Sequence, residues 1–460
     1  MRYVSTRGGV SPISFSKAVM MGLATDGGLL LPERIPTVDG ERLRQWSQLS
    51  FQDLAVEVMT PFMTRGETVT GQLPELVRRS FATFSHPGIT PVIRAGNHWI
   101  LELFHGPTLA FKDVALQFLG NLFETLLSEE QGRLNILGAT SGDTGSAAIH
   151  GVRGRAGIHV FIIHPHGRVS PIQERQMTSV LDANVHNIAI RGSFDDGQNI
   201  VKALFNDLPF KQAYRLGAVN SINWARILAQ IVYFVHAWGR VTGGDPEKRV
   251  IFSVPTGNFG DIFAGYMAMR MGLPVERLVL ATNRNDILVR FMESGAYRIG
   301  TVQPTISPSM DIQISSNFER YLYYLLDEDP EAVRGAMGRL QSEGMFAVPE
   351  AKRQQAAEIF VPRRVGEQQT LDRIRSTWEG CGVLVDPHTA VGLEAAQDFP
   401  EAICLATAHP AKFGEAVHKA VGMEPPVPAS LDGLMERPTR CRILDPDPEA
   451  VRAFMREVLD

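Results

Sequence analysis

A repeated order of short apolar run, glycine-rich turn and helix constrains the fold of this chain more than any other feature. Residues 134–137 lead into a turn at 139–145, and residues 250–254 lead into a turn at 255–261. Further apolar runs of the buried-strand type lie at 159–163, 278–281, 383–385 and 403–406. Strands that alternate with helices form parallel sheets with helices on both faces. The sequence therefore predicts an α/β fold with a parallel, doubly wound sheet.

The two ends of the chain show a different pattern. Within the first 95 residues, helical patches at 14–23, 51–62 and 75–84 lie among turn signals such as Asp26-Gly27-Gly28. This pattern predicts a separate N-terminal domain. The last hundred residues are mostly helical and include a predicted helix over 448–459. We expect them to form a helical C-terminal extension.

Composition excludes several classes of partner. The chain has 45 basic and 50 acidic residues, so nucleic acid is not an expected partner. No apolar run reaches the roughly 18 residues that cross a bilayer, and the N-terminus lacks the apolar core of a signal peptide. Cys381, Cys404 and Cys441 form no CxxC pair and predict buried free thiols in a reducing compartment. A cytoplasmic protein without membrane contact is expected.

Lys112 is the first candidate for chemistry. It stands near the start of a helix predicted over 108–127 and off the polar face of that helix, which consists of Asp113, Gln117, Asn121 and Glu124. Burial of its ammonium group would lower the pKa of Lys112 and make the amine a better nucleophile. The alternative is a lysine whose stem packs while its amine reaches water. The crowded run at 104–111 favours the buried amine.

The turn at 256–261 is suited to a phosphate. It follows a strand and opens a helix, where free backbone N–H groups and the helix dipole attract an anion. The turn lacks the Lys-Ser/Thr pair of a Walker A loop and the spacing GxGxxG, so the phosphate would not belong to a nucleoside triphosphate or dinucleotide. The alternative interpretation is a plain strand-to-helix turn.

The turn at 141–145 is a second place where hydroxyls and amides converge between a strand and a helix. These groups could hold a carboxylate. The alternative is a polar helix cap with Ser141 or Asp143 as the capping residue. The residues alone leave both possibilities open.

Arg226 and Arg320 are charged residues in largely apolar surroundings. An arginine in such a place usually has an anionic partner, either a structural carboxylate or a substrate phosphate. Glu319 is the alternative partner of Arg320. His164 and His166 flank Pro165 without a third convergent ligand, so no metal site is predicted.

Eight segments together resemble the threonine synthases, in particular the branch with an extended N-terminal domain. They are residues 3–7, 22–29, 104–113, 141–146, 221–227, 255–261, 315–320 and 406–413. The resemblance implies the fold-type II architecture that tryptophan synthase β subunits and serine/threonine dehydratases share. This architecture has two doubly wound open sheets with helices on both faces. On this basis we expect an N-terminal domain over 1–95, a large cofactor-binding domain over 96–115 and 216–460, and a small substrate-binding domain over 116–215.

The resemblance also implies a cofactor, pyridoxal 5′-phosphate, and the residues that bind it. Lys112 becomes the lysine that forms a Schiff base with the cofactor, and Thr407 the hydroxyl that faces the pyridine nitrogen. The residues that match the cofactor-phosphate loop are Gly257, Asn258, Phe259 and Asp261. Relatives in the wider fold group commonly carry Asn where this chain has Asp143, which leaves open the group that contacts the cofactor's 3′-oxygen.

The implied reaction converts O-phospho-L-homoserine and water into L-threonine and phosphate. The residues assigned to the substrate carboxylate are Ser141, Gly142, Asp143 and Thr144, and those assigned to its phosphate are Arg226, Asn317 and Arg320. One alternative is another pyridoxal-phosphate lyase, which releases 2-oxobutyrate. A second is a non-catalytic binding protein on the same scaffold. A monomer or a homodimer is expected.

Overall fold

The computed structural model describes residues 1–130, 132–218 and 221–460. None of the helices in those ranges is long and apolar enough to cross a membrane.

The N-terminal segment consists of a small hairpin-like sheet and five helices. Its elements are β1 (Tyr3–Ser5), α1 (Phe15–Met21), β2 (Leu30–Pro32), α2 (Gly40–Trp46), α3 (Phe51–Met59), α4 (Thr68–Gly71) and α5 (Leu73–Phe81). β1 pairs antiparallel with β2. The rings of Tyr3 and Phe62 pack on Trp224, which lies far along the chain. All three predicted helical patches are therefore present, and they share a core with the rest of the molecule.

Thirteen more strands follow β2. They are β3 (Val92–Ala95), β4 (His98–Glu102), β5 (Leu134–Ala139), β6 (Ile158–Pro165), β7 (Val185–Ile190), β8 (Leu216–Gly217), β9 (Val250–Pro255), β10 (Val275–Thr282), β11 (Ala296–Arg298), β12 (Met345–Ala347), β13 (Phe360–Arg364), β14 (Ile403–Ala406) and β15 (Arg442–Leu444). A six-stranded sheet has the order β13-β10-β9-β14-β4-β3 and is parallel except for β3. A five-stranded parallel sheet has the order β15-β7-β6-β5-β8. β11 and β12 form an antiparallel pair.

The remaining helices cover these sheets. They are α6 (Lys112–Glu130), α7 (Asp143–Val152), α8 (Pro171–Thr178), α9 (Phe194–Asn206), α10 (Leu208–Ala213), α11 (Trp224–Thr242), α12 (Gly260–Met271), α13 (Ile287–Ser294), α14 (Phe318–Leu325), α15 (Pro330–Glu343), α16 (Glu350–Ala357), α17 (Glu367–Cys381), α18 (Pro387–Ala395), α19 (Gly414–Val421) and α20 (Pro448–Leu459). Along β10, Leu278 and Leu280 join the core that includes α12, whereas Val279 and Ala281 join the core that includes α18. Alternate residues thus face opposite helical layers, as a parallel sheet buried on both faces requires.

Two sequence predictions about secondary structure need correction. Residues 383–385 form no strand; they connect α17 to α18, and Val385 is buried without sheet hydrogen bonds. Asp386 and Pro387 start α18 directly afterwards, which leaves too little chain for a paired strand. Helix α6 begins at Lys112 rather than at 108, because Leu109 adopts a left-handed conformation with φ 59°.

The polar face predicted on α6 is largely buried, and only Glu124 is partly exposed. Asp113, Gln117 and Asn121 are all buried. Asn121 contacts Ser80 and Arg155, and Glu124 pairs with Arg155 at 2.9 Å. Buried polar side chains are normally hydrogen-bonded to one another. Polar residues at helical spacing can therefore form either an internal hydrogen-bond network or a solvent-exposed face, and the sequence pattern is the same for both.

The thiol prediction is wrong for two of three cysteines. All three are free, but only Cys404 is buried, whereas Cys381 and Cys441 are exposed. Cys404 lies in the central strand β14, and the other two lie in the last position of α17 and just before β15. Composition alone does not tell which of these positions is covered.

The predicted division into domains over 1–95, 96–115 with 216–460, and 116–215 stays a prediction. The structure adds one relevant contact: β15 pairs with β7 of the five-stranded sheet. Val451 and Met455 of α20 are buried against Phe161 of the same sheet. We therefore propose that residues 442–459 belong with the small domain.

Candidate active site

One cavity lies at the carboxyl ends of β9 and β14, which is where parallel sheets bind ligands. Its lining includes eight residues singled out from the sequence: Lys112, Thr144, Arg226, Gly257, Asn258, Phe259, Asp261 and Thr407. Residues more than 290 positions apart in the sequence thus meet at one place. The structure brings together the predicted lysine, the predicted phosphate turn and the predicted hydroxyl.

Lys112 is the first residue of α6, and its side chain is 11% exposed. Its Nζ lies 3.8 Å from Asp143 Oδ2 and 4.8 Å from the ring centroid of Phe111. Burial lowers the pKa of Lys112, and so do the cations Lys412 and Arg226, while Asp143 acts in the opposite direction. The amine therefore loses its proton more readily than a surface lysine, as the sequence predicted.

The chain before Lys112 fixes the position of this amine. Asp113 accepts hydrogen bonds from the amide N and the hydroxyl of Thr108 at 2.8 and 2.7 Å. The amide of Phe111 donates to the carbonyl of Thr407 at 2.8 Å. These contacts hold the start of α6, and with it the backbone of Lys112, beside Thr407.

The turn after β9 presents unused donors to the cavity. Phe259 is the N-cap of α12, has φ 61°, and provides no side-chain hydrogen bond to the first turn. The first backbone N–H groups of a helix have no partner inside the helix, so here they are available to an anion. A Cβ on Gly257 would lie 2.8 Å from the carbonyl oxygen of Ser309, which explains the glycine.

Two charged side chains in the cavity wall have unsatisfied atoms. Within the described part of the chain, Arg226 Nε and Nη1 have no hydrogen-bond partner, although the residue is only 4% exposed. Burial lowers the pKa of Arg226 to about 10. Oδ1 of Asp261 accepts a hydrogen bond from the hydroxyl of Tyr233, while its Oδ2 has no partner among the residues described. Burial raises the pKa of Asp261 to about 7. Buried polar groups are normally paired, so these atoms indicate that a ligand binds here.

The turn at 141–145 is capped by a residue that the sequence analysis did not name. Thr140 Oγ1 accepts from the amides of Gly142 and Gly145 at 3.0 and 2.9 Å. The alternative of a helix cap by Ser141 or Asp143, which the sequence left open, is therefore wrong. Thr144 lines the cavity, whereas Ser141 is exposed and Gly142 lies against the side chain of Gln173.

Asn317 and Arg320 lie behind the phosphate turn and do not line the cavity. Arg320 is fully buried and donates to the carbonyls of Leu30 and Ile222 and to the side chain of Asn317. The amide of Asn317 donates to the carbonyl of Asn258 at 3.0 Å. Both residues therefore hold the turn and the N-terminal segment in place, which corrects their assignment to the substrate phosphate. Glu319, the alternative partner of Arg320, pairs instead with Arg7 at 2.8 Å.

Sequence reasoning missed several residues of the site. His388 lines the cavity, pairs through Nδ1 with Asp386 at 2.6 Å, and accepts at Nε2 from the amide of Ser309 at 3.2 Å. Asp386 before Pro387 is a helix-cap signal. Nothing in the sequence indicates that this helix start contacts Ser309, which lies almost eighty residues earlier. Lys412 pairs with Asp143 at 2.6 Å. It lies in the segment 406–413, but the sequence analysis assigned it no function.

Comparison with known proteins decides the family. Three family models match: Threonine synthase N terminus over residues 2–81, Pyridoxal-phosphate dependent enzyme over 83–358, and Threonine synthase, C-terminal over 389–455. The threonine synthase of Pseudomonas aeruginosa is 47% identical over 464 residues, covering 99% of this chain and 98% of that protein. The threonine synthase of Saccharomyces cerevisiae is 48% identical over 457 residues, covering 91% and 89%. The chain belongs to the threonine synthase family.

Solved structures agree with this assignment. The crystal structure of threonine synthase from Brucella melitensis with bound pyridoxal phosphate has a TM-score of 0.96 and 47% identity, covering 100% of this chain and 99% of that one. Threonine synthase from yeast has a TM-score of 0.95 and 44% identity, covering 100% and 98%. Fold type II, pyridoxal phosphate as the cofactor and threonine synthase activity are thereby confirmed for this chain.

Proposed function

We propose that this chain converts O-phospho-L-homoserine and water into L-threonine and phosphate, with Lys112 as the residue that binds the cofactor. The observation that supports this most strongly is the cavity shared by Lys112, the uncapped turn before α12 and Arg226, whose Nε and Nη1 have no partner among the described residues. One amine and two places for anions match a cofactor and a substrate that each carry a phosphate.

The residues of the cavity fit pyridoxal phosphate. Gly257, Asn258, Phe259 and Asp261 would hold its phosphate at the start of α12, with Thr407 at the pyridine nitrogen. Thr407 directly follows β14 and is buried. A neutral hydroxyl leaves the ring less cationic than an aspartate would. When bound, the cofactor supplies the electron sink that stabilises negative charge on the substrate carbons.

Lys112 performs the proton transfers in this proposal. The free amine of Lys112 would remove a proton from Cα of the substrate and then one from Cβ. Phosphate leaves from Cγ, and one proton returns to Cγ. Water then adds its hydroxyl group at Cβ while a proton returns to Cα, and the second proton of the water balances the charge of the released phosphate. The lowered pKa of Lys112 supports its use as a base, since general bases work best with a pKa near the operating pH.

The substrate's two acidic groups are assigned to different walls. Arg226 would bind the phosphate, because its buried Nε and Nη1 have no hydrogen-bond partner in the part of the chain that the structure describes. Thr144 and the backbone amides of Ser141 and Asp143 would bind the carboxylate, whereas the amide of Gly142 already donates to Thr140. The side chain of Asp143 is excluded from that role, since its oxygens already accept from Lys412, Gln173 and Ser309. Asn317 and Arg320 support the site from behind.

A monomer or homodimer in the cytoplasm stays a prediction. The partner that this proposal names is the small-molecule substrate alone.

Product analysis tests the proposal. The purified protein loaded with pyridoxal phosphate should form L-threonine and phosphate in equal amounts from O-phospho-L-homoserine, and Lys112→Ala should form neither. Release of 2-oxobutyrate and ammonia in place of threonine would show the alternative lyase. Binding of the substrate without any product would show a non-catalytic binding protein.

A further inference from the structure

Lys412 is a buried cation that the proposed reaction does not use. It lies in the short 3₁₀ helix Pro410–Phe413, and its side chain has no exposed surface. Its Nζ donates to Asp143 Oδ1 at 2.6 Å and to the carbonyl of Thr108 at 2.7 Å. A buried ion pair adds little net stability, because the loss of hydration offsets the attraction between the charges. The effect of this pair on its neighbours is therefore the better guide to its role.

Asp143 lies between Lys412 and Lys112, and it contacts the two lysines unequally. Oδ1 is held by Lys412 and by Gln173 Nε2 at 2.8 Å. Oδ2 accepts from Ser309 Oγ at 3.3 Å and lies 3.8 Å from Lys112 Nζ. Burial alone would raise the pKa of Asp143, but the two lysines hold this pKa far below its usual range. Asp143 is thus an anion bound closely to Lys412 and only loosely to Lys112.

Several charged groups face Lys112 from the elements around it. They are Asp143 on α7, Lys412 on the 3₁₀ helix, Arg226 on α11, Asp261 on α12 and Asp113 on α6 itself. Asp113 accepts hydrogen bonds from Thr108, and Oδ1 of Asp261 accepts one from Tyr233. Of the carboxylates in the described ranges, Asp143 alone comes within ion-pair distance of Lys112. Burial has the largest effect on the pKa of Lys112, and among the charged neighbours Asp143 has the largest.

We propose that Lys412 is a positioning residue, which holds Asp143 so that the carboxylate does not close on Lys112. The proposal rests on the proposed role of Lys112 as the amine that binds the cofactor. Without Lys412, Asp143 would keep its charge and turn to Lys112 as its remaining cation. A tight ion pair would hold Lys112 as an ammonium group, which is neither nucleophile nor base.

The test measures the protonation of Lys112 in the cofactor-free protein. Brief pulses of acetic anhydride label neutral amines, and mass spectrometry of the Lys112 peptide across a pH series gives the midpoint of its titration. Lys412→Met should raise this midpoint by about one pH unit or more, since an opposite charge at close range shifts a pKa by 1–3 units. Lys412→Arg keeps the charge and should return the midpoint towards the wild-type value. Lys419→Met, at an exposed lysine of α19, should leave it unchanged.

A second substitution tests the part played by Asp143. In the double variant Lys412→Met/Asp143→Asn, the midpoint should fall below that of Lys412→Met because the carboxylate is gone. A Lys412→Met midpoint equal to that of the wild type would overturn the proposal, as would a double variant equal to Lys412→Met. Should Lys412→Met fail to fold, Lys412→Gln removes the charge and keeps a donor, and the same expectations apply to it. The titration of Lys112 is measured without substrate and does not depend on threonine formation. A failure to form threonine would therefore refute the proposed function but not the result of this titration.

Discussion

Arg226 shows at the scale of a single residue how an unsatisfied group points to a ligand. Its buried guanidinium lacks a partner for Nε and Nη1 among the residues described, so removing it costs the cofactor-free protein little. Arg226→Ala should raise KM for O-phospho-L-homoserine about tenfold or more, since a hydrogen bond to a charged group contributes roughly 1.5–3 kcal/mol. Steady-state kinetics measure this, with Arg240→Ala on the same helix as the matched control. An unchanged KM would remove Arg226 from the phosphate site.

Asp261 predicts a pH dependence. Burial raises its pKa in the folded protein to about 7, whereas an unfolded chain has about 3.9. The folded state therefore binds this proton more strongly, and the resulting stabilisation is complete below about pH 4 and lost as the pH rises through about 7. Asp261→Asn cannot ionise. The difference in thermal midpoint between the cofactor-free variant and the wild type, variant minus wild type, should be more positive at pH 8 than at pH 4. The same difference at both pH values would contradict this.

The residues of the site differ in how far the sequence could reveal them. Lys112 and the glycine turn have local signals, because a crowded lysine and a strand-to-helix glycine turn are visible in a few consecutive positions. Lys412 and Asp143 are far apart in the sequence and meet only through the packing of separate elements. Arg320 has the local pattern of an anion-binding arginine, yet its partners are backbone carbonyls that no residue pattern encodes.

At the scale of elements, the turn between β9 and α12 has a geometry that allows a sharp test. Gly257→Ala would place a Cβ 2.8 Å from the backbone of Ser309, so the turn must move. Affinity for pyridoxal phosphate should fall about tenfold or more, which corresponds to about 1.4 kcal/mol. Fluorescence titration of the cofactor-free protein measures it. Gly338→Ala on α15, where an added methyl group meets open space, should bind the cofactor like the wild type.

Strands were predicted correctly where a continuous apolar run had at least four residues, and the prediction failed at a run of three. Strands such as Val250–Pro255 and Ile403–Ala406 were predicted because both faces are buried and the apolar run is continuous. Residues 383–385 have the same local character, but Asp386 starts a helix directly after them. A three-residue apolar run does not separate a buried strand from a buried connection, because pairing partners decide between them.

At the scale of the whole molecule, the end of the chain stabilises the smaller sheet. Met455 of α20 is fully buried with Phe161 of β6. Met455→Ala should lower the free energy of unfolding by about 2–5 kcal/mol through the cavity it leaves. Hydrogen exchange should quicken in Ile158–Pro165 and stay unchanged in Val275–Thr282 of the other sheet. Met435→Ala, at an exposed methionine, is the control. Equal loosening of both sheets would contradict the assignment of residues 442–459 to the small domain.

The sequence predicted the class of the whole fold but not its topology. Alternation of apolar runs and helices indicated parallel sheets, and the structure confirms them. The order β13-β10-β9-β14-β4-β3 and the pairing of β15 with β7 depend on contacts between distant segments. Local patterns decide which segments become strands, and packing between layers decides which strands are neighbours.

Chemical trapping of the cofactor tests the central claim most directly. The purified protein is loaded with pyridoxal phosphate, reduced with borohydride, digested and analysed by mass spectrometry. The phosphopyridoxyl group should be found on the peptide that contains Lys112, and Lys112→Ala should carry none. A wild-type protein with no such group on Lys112, or with the group on Lys412 instead, would contradict the account.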